Sequence, residues 1–365
     1  MARAHSDSKR LFLLGDARQV HLRRWARYFD DAGYEVLTFS LEEPDGEYPG
    51  RVRMLSVPRV LPDALRYPLS APVAARLAAR FAPHVVNAHF APNYGVIAAL
   101  IGHAPWVLSA WGSDIMTAPD RSPFHMWRTR RVLASASYVT SDAAVMTERL
   151  QDLGVPEDHI LTFPYGVDPE AFYPAKKTAE GGPRVVSNRK LEAVYSIETV
   201  IDAFSAVHEA FPTATLTVAG DGSLRIDMMR RARESVGSAA VTFVGAVDHE
   251  RMPTLLRDND VYVSTSLSDT TSVSLLEAMA CGLFPVVSDI PANREWITPG
   301  ENGVLVPVQS PMKLAAAVIA AWRDRELVER ARRINQTLVR ERATWSESMR
   351  PVHELFDTLA KRSNP

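Results

Sequence analysis

The chain has 365 residues, 46% of them apolar, and a formal net charge of -2. That is enough chain for two domains with sizeable cores, and so weak a charge argues against bulk electrostatic binding of nucleic acid. One cysteine, Cys281, excludes an internal disulfide, and no apolar run approaches the ~20 residues that would span a bilayer. The expected location is the cytoplasm, including the inner membrane surface. Cys281 lies among small apolar neighbours and reads as a core residue. The ten histidines show no HExxH spacing and there is no CxxC, so no protein-built metal site is expected.

In chain order, short apolar strands are predicted at residues 11–14, 36–39, 85–88, 106–108 and 138–140. Helical patterns separate them at 21–32, 72–80, 94–101, 125–135 and 143–153. The first helix carries Arg18, His21, Arg23, Arg24 and Arg27 beside Trp25, Tyr28 and Phe29. It reads either as a solvated face over a core stripe or as a basic aromatic patch for an anionic acceptor or a membrane surface. A second series follows, with strands at 185–187, 216–219, 241–244, 261–264, 285–288 and 304–306, and helices at 197–210, 224–234, 252–257 and 273–281. Residues 311–361 read as helix broken near Thr344.

Strands apolar on both faces and joined by helices predict an α/β fold of two parallel sheets, in two Rossmann-like domains facing across a cleft. The linker is expected at 174–183, rich in proline and glycine and containing Lys176 and Lys177. The first domain would then be 1–173, joined by a crossing-back helix at 346–365, and the second 184–345.

The most informative stretch runs from Ser266 to Gly282. A strand meets a turn of hydroxyl residues and then a helix, with Asp269 before the helix, Glu277 inside it and seven residues between them. Unpaired N–H groups at a helix start favour an anion such as phosphate. Glu277, more than a turn further in, can accept from a diol.

Several strings stand in one order along the chain: Phe163-Pro-Tyr-Gly-Val-Asp-Pro, Val186-Ser-Asn-Arg-Lys-Leu, Val218-Ala-Gly-Asp-Gly, Val241-Thr-Phe-Val-Gly, the Ser266–Gly282 stretch, Pro285-Val-Val-Ser-Asp and Asn302-Gly-Val-Leu-Val-Pro. Together they resemble the retaining GT-B glycosyltransferases of family 4, most strongly from Phe163 to Pro307. The resemblance implies a nucleoside-diphosphate sugar, such as a UDP-sugar, held mainly by the second domain, an acceptor held by the first, no cofactor and no metal. It further implies a metal-independent hexosyl transfer with retention, in glycan, glycolipid or glycosylated-metabolite synthesis. The acceptor is unidentified, of an anionic or lipid-linked kind.

Site residues carry over position by position. Glu277 matches the ribose-binding glutamate. Asp269 stands where the family has a longer glutamate that bonds the transferred sugar; its bland alternative is a helix cap. Thr270, Thr271, Ser272 and Val273 would supply helix-start N–H groups. Arg189 would bind the diphosphate; Tyr195 replaces a family lysine, so either Lys190 supplies that charge or Tyr195 donates one neutral hydrogen bond. Val244 and Gly245 would meet the base, and Gly220 and Asp221 form a turn that would line the site. In the first domain, Gly15 and Asp16 match a glycine-rich loop. Trp111-Gly-Ser-Asp114 stands where many relatives have a histidine, which excludes a base there and leaves Trp111 to stack on a sugar. His21 and His89 are further acceptor-side candidates, His89 being as well read as structural. The departures at Asp269, Tyr195 and Trp111 sustain an alternative: a non-catalytic sugar-nucleotide or glycan-binding protein. A nucleotide-dependent dehydrogenase fits less well, because no Gly-x-Gly-x-x-Gly follows the first strand.

Overall fold

Strands with apolar side chains on both faces need a helical layer on each side, and the chain builds two such sheets. The computed structural model describes residues 8–58, 60–175, 181–237 and 239–362. It divides into two units, Met1–Phe163 with Met349–Pro365, and Pro164–Ser348.

The first unit holds β1 (Arg10–Leu14), β2 (Glu35–Ser40), β3 (Arg51–Met54), β4 (Val85–His89), β5 (Trp106–Ser109), β6 (Tyr138–Ser141) and β7 (Ile160–Thr162). All pairings are parallel, in the order β3-β2-β1-β4-β5-β6-β7. The two strands at the sheet edges, β3 and β7, were not expected from sequence. Each has one neighbour, and β3 alternates two exposed arginines with Val52 and Met54, so neither carries the apolar run of a central strand.

The second unit holds β8 (Arg184–Ser187), β9 (Thr215–Ala219), β10 (Val241–Gly245), β11 (Val261–Ser264), β12 (Phe284–Ser288) and β13 (Val304–Val306), ordered β10-β9-β8-β11-β12-β13. Successive residues serve opposite layers. Val185 and Val263 join one core cluster with Phe204 and Leu314. Val186 and Tyr262 join another with Leu276, Met279 and Phe172. Cys281 is fully buried in this second cluster, as expected of a core residue.

Three helical expectations shift. The helix expected at 72–80 runs Asp63–Phe81 and carries Pro68 and Pro72 inside it. The helix expected from Tyr94 is preceded by a π-helical turn, Phe90–Gly95, and begins at Val96. The C-terminal stretch breaks twice, giving Pro311–Arg323, Arg325–Arg342 and Trp345–Arg362. The extra break falls at Asp324, whose carboxylate accepts from the Leu327 N–H at 2.9 Å and caps the next helix.

The domain boundary also lies earlier than the proline-rich stretch suggests. The first unit ends at Phe163, not 173, because the following segment pairs within the second unit. Val167 N–H donates to Ala343 O at 2.8 Å, Trp345 N–H donates to Val167 O at 2.9 Å, and Phe172 is buried in the second unit's core. Of the expected linker 174–183, Lys176 and Lys177 lie outside the described residues, and Gly182 N–H donates to Thr213 Oγ1 at 2.7 Å. From Met349 onward the last helix packs in the first unit: Phe356 stacks on Phe29 at 4.9 Å, and Asp357 accepts from Tyr34 and from Lys9.

Gly166 shows how closely the junction is packed. A Cβ there would lie 2.5 Å from the backbone of Thr344 and Trp345. Gly166→Ala should cost about 1–3 kcal/mol by overpacking. The check is the thermal midpoint of the second unit: an unchanged midpoint would contradict this close approach.

Candidate active site

The second sheet has the strand order in which the chain reverses its winding between its first and fourth strands, here β8 and β11. Loops leaving the carboxyl ends of such a pair diverge and leave room for a ligand. Arg189 stands on one of these loops and Asp269 on the other.

The structure joins the two. Arg189 Nη2 donates to Asp269 Oδ2 at 2.5 Å, while Nη1 donates to the hydroxyls of Ser272 and Ser274, each at 2.8 Å. The guanidinium carbon sits 4.4 Å from the centre of the Tyr195 ring, a cation–π contact. Arg189 is 8% exposed, and its Nε is buried without a hydrogen-bond partner. Burial opposes its charge, but Asp269, with Tyr262 and Tyr195, holds its pKa above the ordinary value. It is a fixed cation.

Each neighbour has a reason to be where it is. Gly220 has φ +151°, and a Cβ there would lie 2.4 Å from Arg189 O, so only glycine permits this approach. Leu191 N–H donates to Asp221 O at 3.1 Å, tying the two loops together. Tyr195 ends a short turn, Ala193–Tyr195, held by Thr265 Oγ1, which donates to Tyr195 O at 3.0 Å and Ser196 O at 2.8 Å. Tyr195 therefore lies with its ring as a platform under Arg189, held through its backbone carbonyl by Thr265. Lys190 is exposed, and the Asp221 side chain faces Arg225 at 3.4 Å.

The helix Val273–Ala280 is capped by Ser272, whose hydroxyl accepts from Leu275 N–H at 3.4 Å, so Asp269 is not the cap. Asp269 instead accepts from Thr270 N–H at 3.1 Å and from Arg189. Its carboxylate is thus engaged within the protein, where a direct sugar contact had been expected. Thr270, Thr271 and Ser272 are buried, and Val273 is half-buried.

Glu277 is buried, and Oε1 lies 3.7 Å from His249 Nδ1. His249 follows β10 and packs against Phe172 at 5.4 Å between ring centres. Sequence reasoning missed His249, and the signal available was faint: a histidine four residues beyond the Gly245 turn. It also missed Ser274 and Tyr262, whose hydroxyl donates to Ser274 at 3.2 Å and completes the support behind Arg189. Gly245 has φ +75° and disturbs the register of β10 on β9, as a turn glycine does; Val244 beside it is exposed.

The first unit places its candidates differently. Gly15 N–H donates to Phe39 O at 3.2 Å, and a Cβ there would meet Leu22 at 2.6 Å. Asp16 is bound by Arg18 at 2.8 Å. His89 is 1% exposed and accepts at Nδ1 from the Trp111 indole N–H at 3.1 Å. That puts its proton on Nε2, and burial, with a small push from His21, lowers its pKa to about 3. Asp114 is fully buried and accepts from Ala91 N–H and Trp111 N–H, each at 2.9 Å; burial, partly offset by these bonds, raises its pKa to about 6. His89 and Asp114 are therefore corrected from ligand-facing candidates to a buried knot that positions the half-buried Trp111. The His21 ring stands edge-on to Trp111 at 5.7 Å. The aromatic side of the first helix is likewise internal, with Trp25 and Phe29 fully buried and Arg23 donating to Asp45 O at 2.9 Å, so the core-stripe reading holds.

Among the described residues no group of three or more His, Cys, Asp or Glu side chains is arranged to hold a metal. No helix there is long and apolar enough to cross a membrane.

Comparison with known proteins identifies the family and the fold. Residues 170–337 match the glycosyl transferases group 1 family, and residues 10–143 match the glycosyl transferase 4-like family. A phosphatidyl-myo-inositol mannosyltransferase of Mycobacterium tuberculosis is 31% identical over 210 residues, 55% of this chain and 54% of that protein. A glycogen synthase of the same organism is 27% identical over 63% of this chain and 54% of its own. The chain thus spans about half the length of these curated relatives. Among solved structures, a sucrose-phosphate synthase from Thermosynechococcus elongatus superposes with a TM-score of 0.84 at 18% identity, over 97% of this chain and 100% of that one. Anabaena HepE in complex with UDP and glucose superposes with a TM-score of 0.80 at 16% identity, over 96% and 100%. At such identities the likeness is one of fold.

The knot in the first unit has a pH signature. The depressed pKa of His89 stabilises the fold above its ordinary value of 6.5, and that stability is lost as pH falls towards about 3. The raised pKa of Asp114 acts oppositely, its contribution being lost as pH rises through about 6. His89→Gln should therefore weaken acid sensitivity, and Asp114→Asn should steepen it. Thermal midpoints from about pH 4 to about pH 7 read both slopes; a His89→Gln slope equal to wild type would mean that folding leaves the pKa of His89 unshifted.

Proposed function

This chain belongs to the group 1 glycosyltransferases of the family 4 type, and we propose that it moves a sugar from a nucleoside-diphosphate sugar to an acceptor hydroxyl with retention of configuration. One observation carries the reading. A buried arginine, with an unpartnered Nε, sits at the switch point of the second sheet beside a helix start. A fixed cation and preorganised N–H groups at one point are suited to an anionic leaving group.

On this reading Arg189 and the start of helix Val273–Ala280 take up the charge that grows on the leaving diphosphate. That is the work a metal ion would otherwise do, and it supports a metal-independent transfer without a cofactor. Glu277 accepts from the ribose diol, with His249 orienting its carboxylate. The acceptor hydroxyl attacks the anomeric carbon from the face the diphosphate leaves, and a leaving phosphate oxygen takes its proton. No side-chain base is then required. Asp269 acts through Arg189 as a positioning residue. An anionic, lipid-linked acceptor is in keeping with relatives named as phosphatidyl-myo-inositol mannosyltransferases.

The second reading, a non-catalytic sugar-nucleotide binder, draws on the same ion pair, since Asp269 and Arg189 already occupy one another. Arg189→Ala and Glu277→Ala should each weaken nucleoside-diphosphate binding by roughly 10- to 100-fold, the worth of a hydrogen bond to a charged group. Both should abolish transfer while leaving the thermal midpoint of the first unit unchanged. Calorimetry reads the binding, and the anomeric proton coupling of the product reads the stereochemistry. Unchanged affinity in both variants would remove the site from this place. Wild-type binding without transfer or hydrolysis over a panel of donors and acceptors would select the binder, and an inverted product would exclude retention.

A further inference from the structure

We propose that the outer face of helix Pro123–Ser135 docks the first unit on an anionic lipid bilayer. The inner face of this helix buries Thr129, Val132 and Leu133, which is what a surface helix requires. Its outer face is unusual. Phe124, Trp127, Arg128 and Arg131 follow at the spacing of one helical stripe. Phe124 is 52% exposed and Trp127 is 55% exposed, with the rings stacked at 6.0 Å between centres. Arg128 lies over the Phe124 ring at 5.7 Å, and Arg131 lies over the Trp127 ring at 5.8 Å.

Charge decides the occupant. Residues 121–135 contain Arg121, Arg128, Arg130 and Arg131 and no acidic residue, in a chain whose net charge is -2. Arg121, Arg130 and Arg131 are exposed, while Arg128 feels the opposing charge of Asp63. Arginine forks match phosphate oxygens, and rings with a polar rim settle at headgroup depth. Anionic phospholipids offer both a phosphate plane and an apolar layer just beneath it, so a single surface meets the rings and the guanidinium groups together. A protein partner would need an acidic rim around an apolar pocket.

The helix first suspected of this role, with Arg18 to Arg27, lacks the equipment, because Trp25 and Phe29 are committed to the core. The surface proposed here does not depend on glycosyl transfer, and its test needs no donor or acceptor.

The experiment is co-sedimentation of the full chain with vesicles of phosphatidylcholine alone and with about a third phosphatidylglycerol. The chain should pellet with the anionic vesicles, stay in solution with the neutral ones, and be released by salt. Phe124→Ser with Trp127→Ser, and separately Arg130→Gln with Arg131→Gln, should each lower the partition coefficient at least tenfold. Arg24→Gln with Arg27→Gln, on the first helix, should leave it within twofold. These side chains are exposed or half-buried, and circular dichroism with thermal midpoints checks that every variant folds. The proposal is overturned by absence of binding to anionic vesicles, by equal binding to neutral ones, or by variants on helix Pro123–Ser135 that bind as wild type. It is equally overturned if light scattering shows a self-association that Phe124→Ser with Trp127→Ser abolishes while vesicle binding persists, which would assign the rings to a second copy of the chain.

Discussion

A guanidinium out of water must be held by a carboxylate and by hydroxyls or it is too costly to keep, and the second unit is arranged around meeting that demand for Arg189. The requirement reaches several elements at once. β8 delivers the arginine, the loop after β11 delivers Asp269, and helix Val273–Ala280 brings Ser274 and is capped by Ser272. A three-residue turn lays Tyr195 beneath it, and Gly220 lets the neighbouring loop pass over its carbonyl. Removing any one support would leave a buried charge or a buried hydroxyl without its partner. A site of this kind is already in shape before an anion arrives, and such preorganisation is the usual source of electrostatic catalysis.

The first unit builds a different support at the carboxyl end of its own sheet. β4 and β5 end at His89 and just before Trp111, and the loop beyond carries Asp114. Burial keeps the imidazole neutral, the indole N–H donates to it, and two backbone N–H groups bind the carboxylate. The result is a rigid support for one half-buried tryptophan. The carboxyl ends of the two sheets therefore differ in kind: one presents a fixed cation, the other an aromatic surface held by a buried polar knot.

Much of the fold was legible because central strands buried on both faces have no other way to be written than as short apolar runs. The strands at 11–14, 85–88, 185–187 and 261–264 were plain for that reason. The edge strands β3 and β7 were not, since one neighbour and a wet face leave little pattern to read. The helix Asp63–Phe81 was shortened in the sequence reading by Pro68 and Pro72, whose breaking tendency tertiary packing overrode. The unit boundary was misplaced for a related reason: the proline and glycine signal at 174–183 is local, whereas Val167 and Phe172 are tied down by contacts with residues near 343 and 279.

The sequence by itself determined the α/β class, the ordered family strings, and the presence of an arginine, a helix start and two carboxylates in the second half. Local chemistry writes these features, so they can be read locally. Only the tertiary structure decided what each group touches. It paired Asp269 with Arg189 and laid the Tyr195 ring beneath that guanidinium. It set His249 against Glu277, withdrew His89 and Asp114 into the core, and left an exposed aromatic face on Pro123–Ser135. Side chains 80 residues apart meet only when two parallel strands bring their loops to one edge, and no spacing along the chain records that meeting.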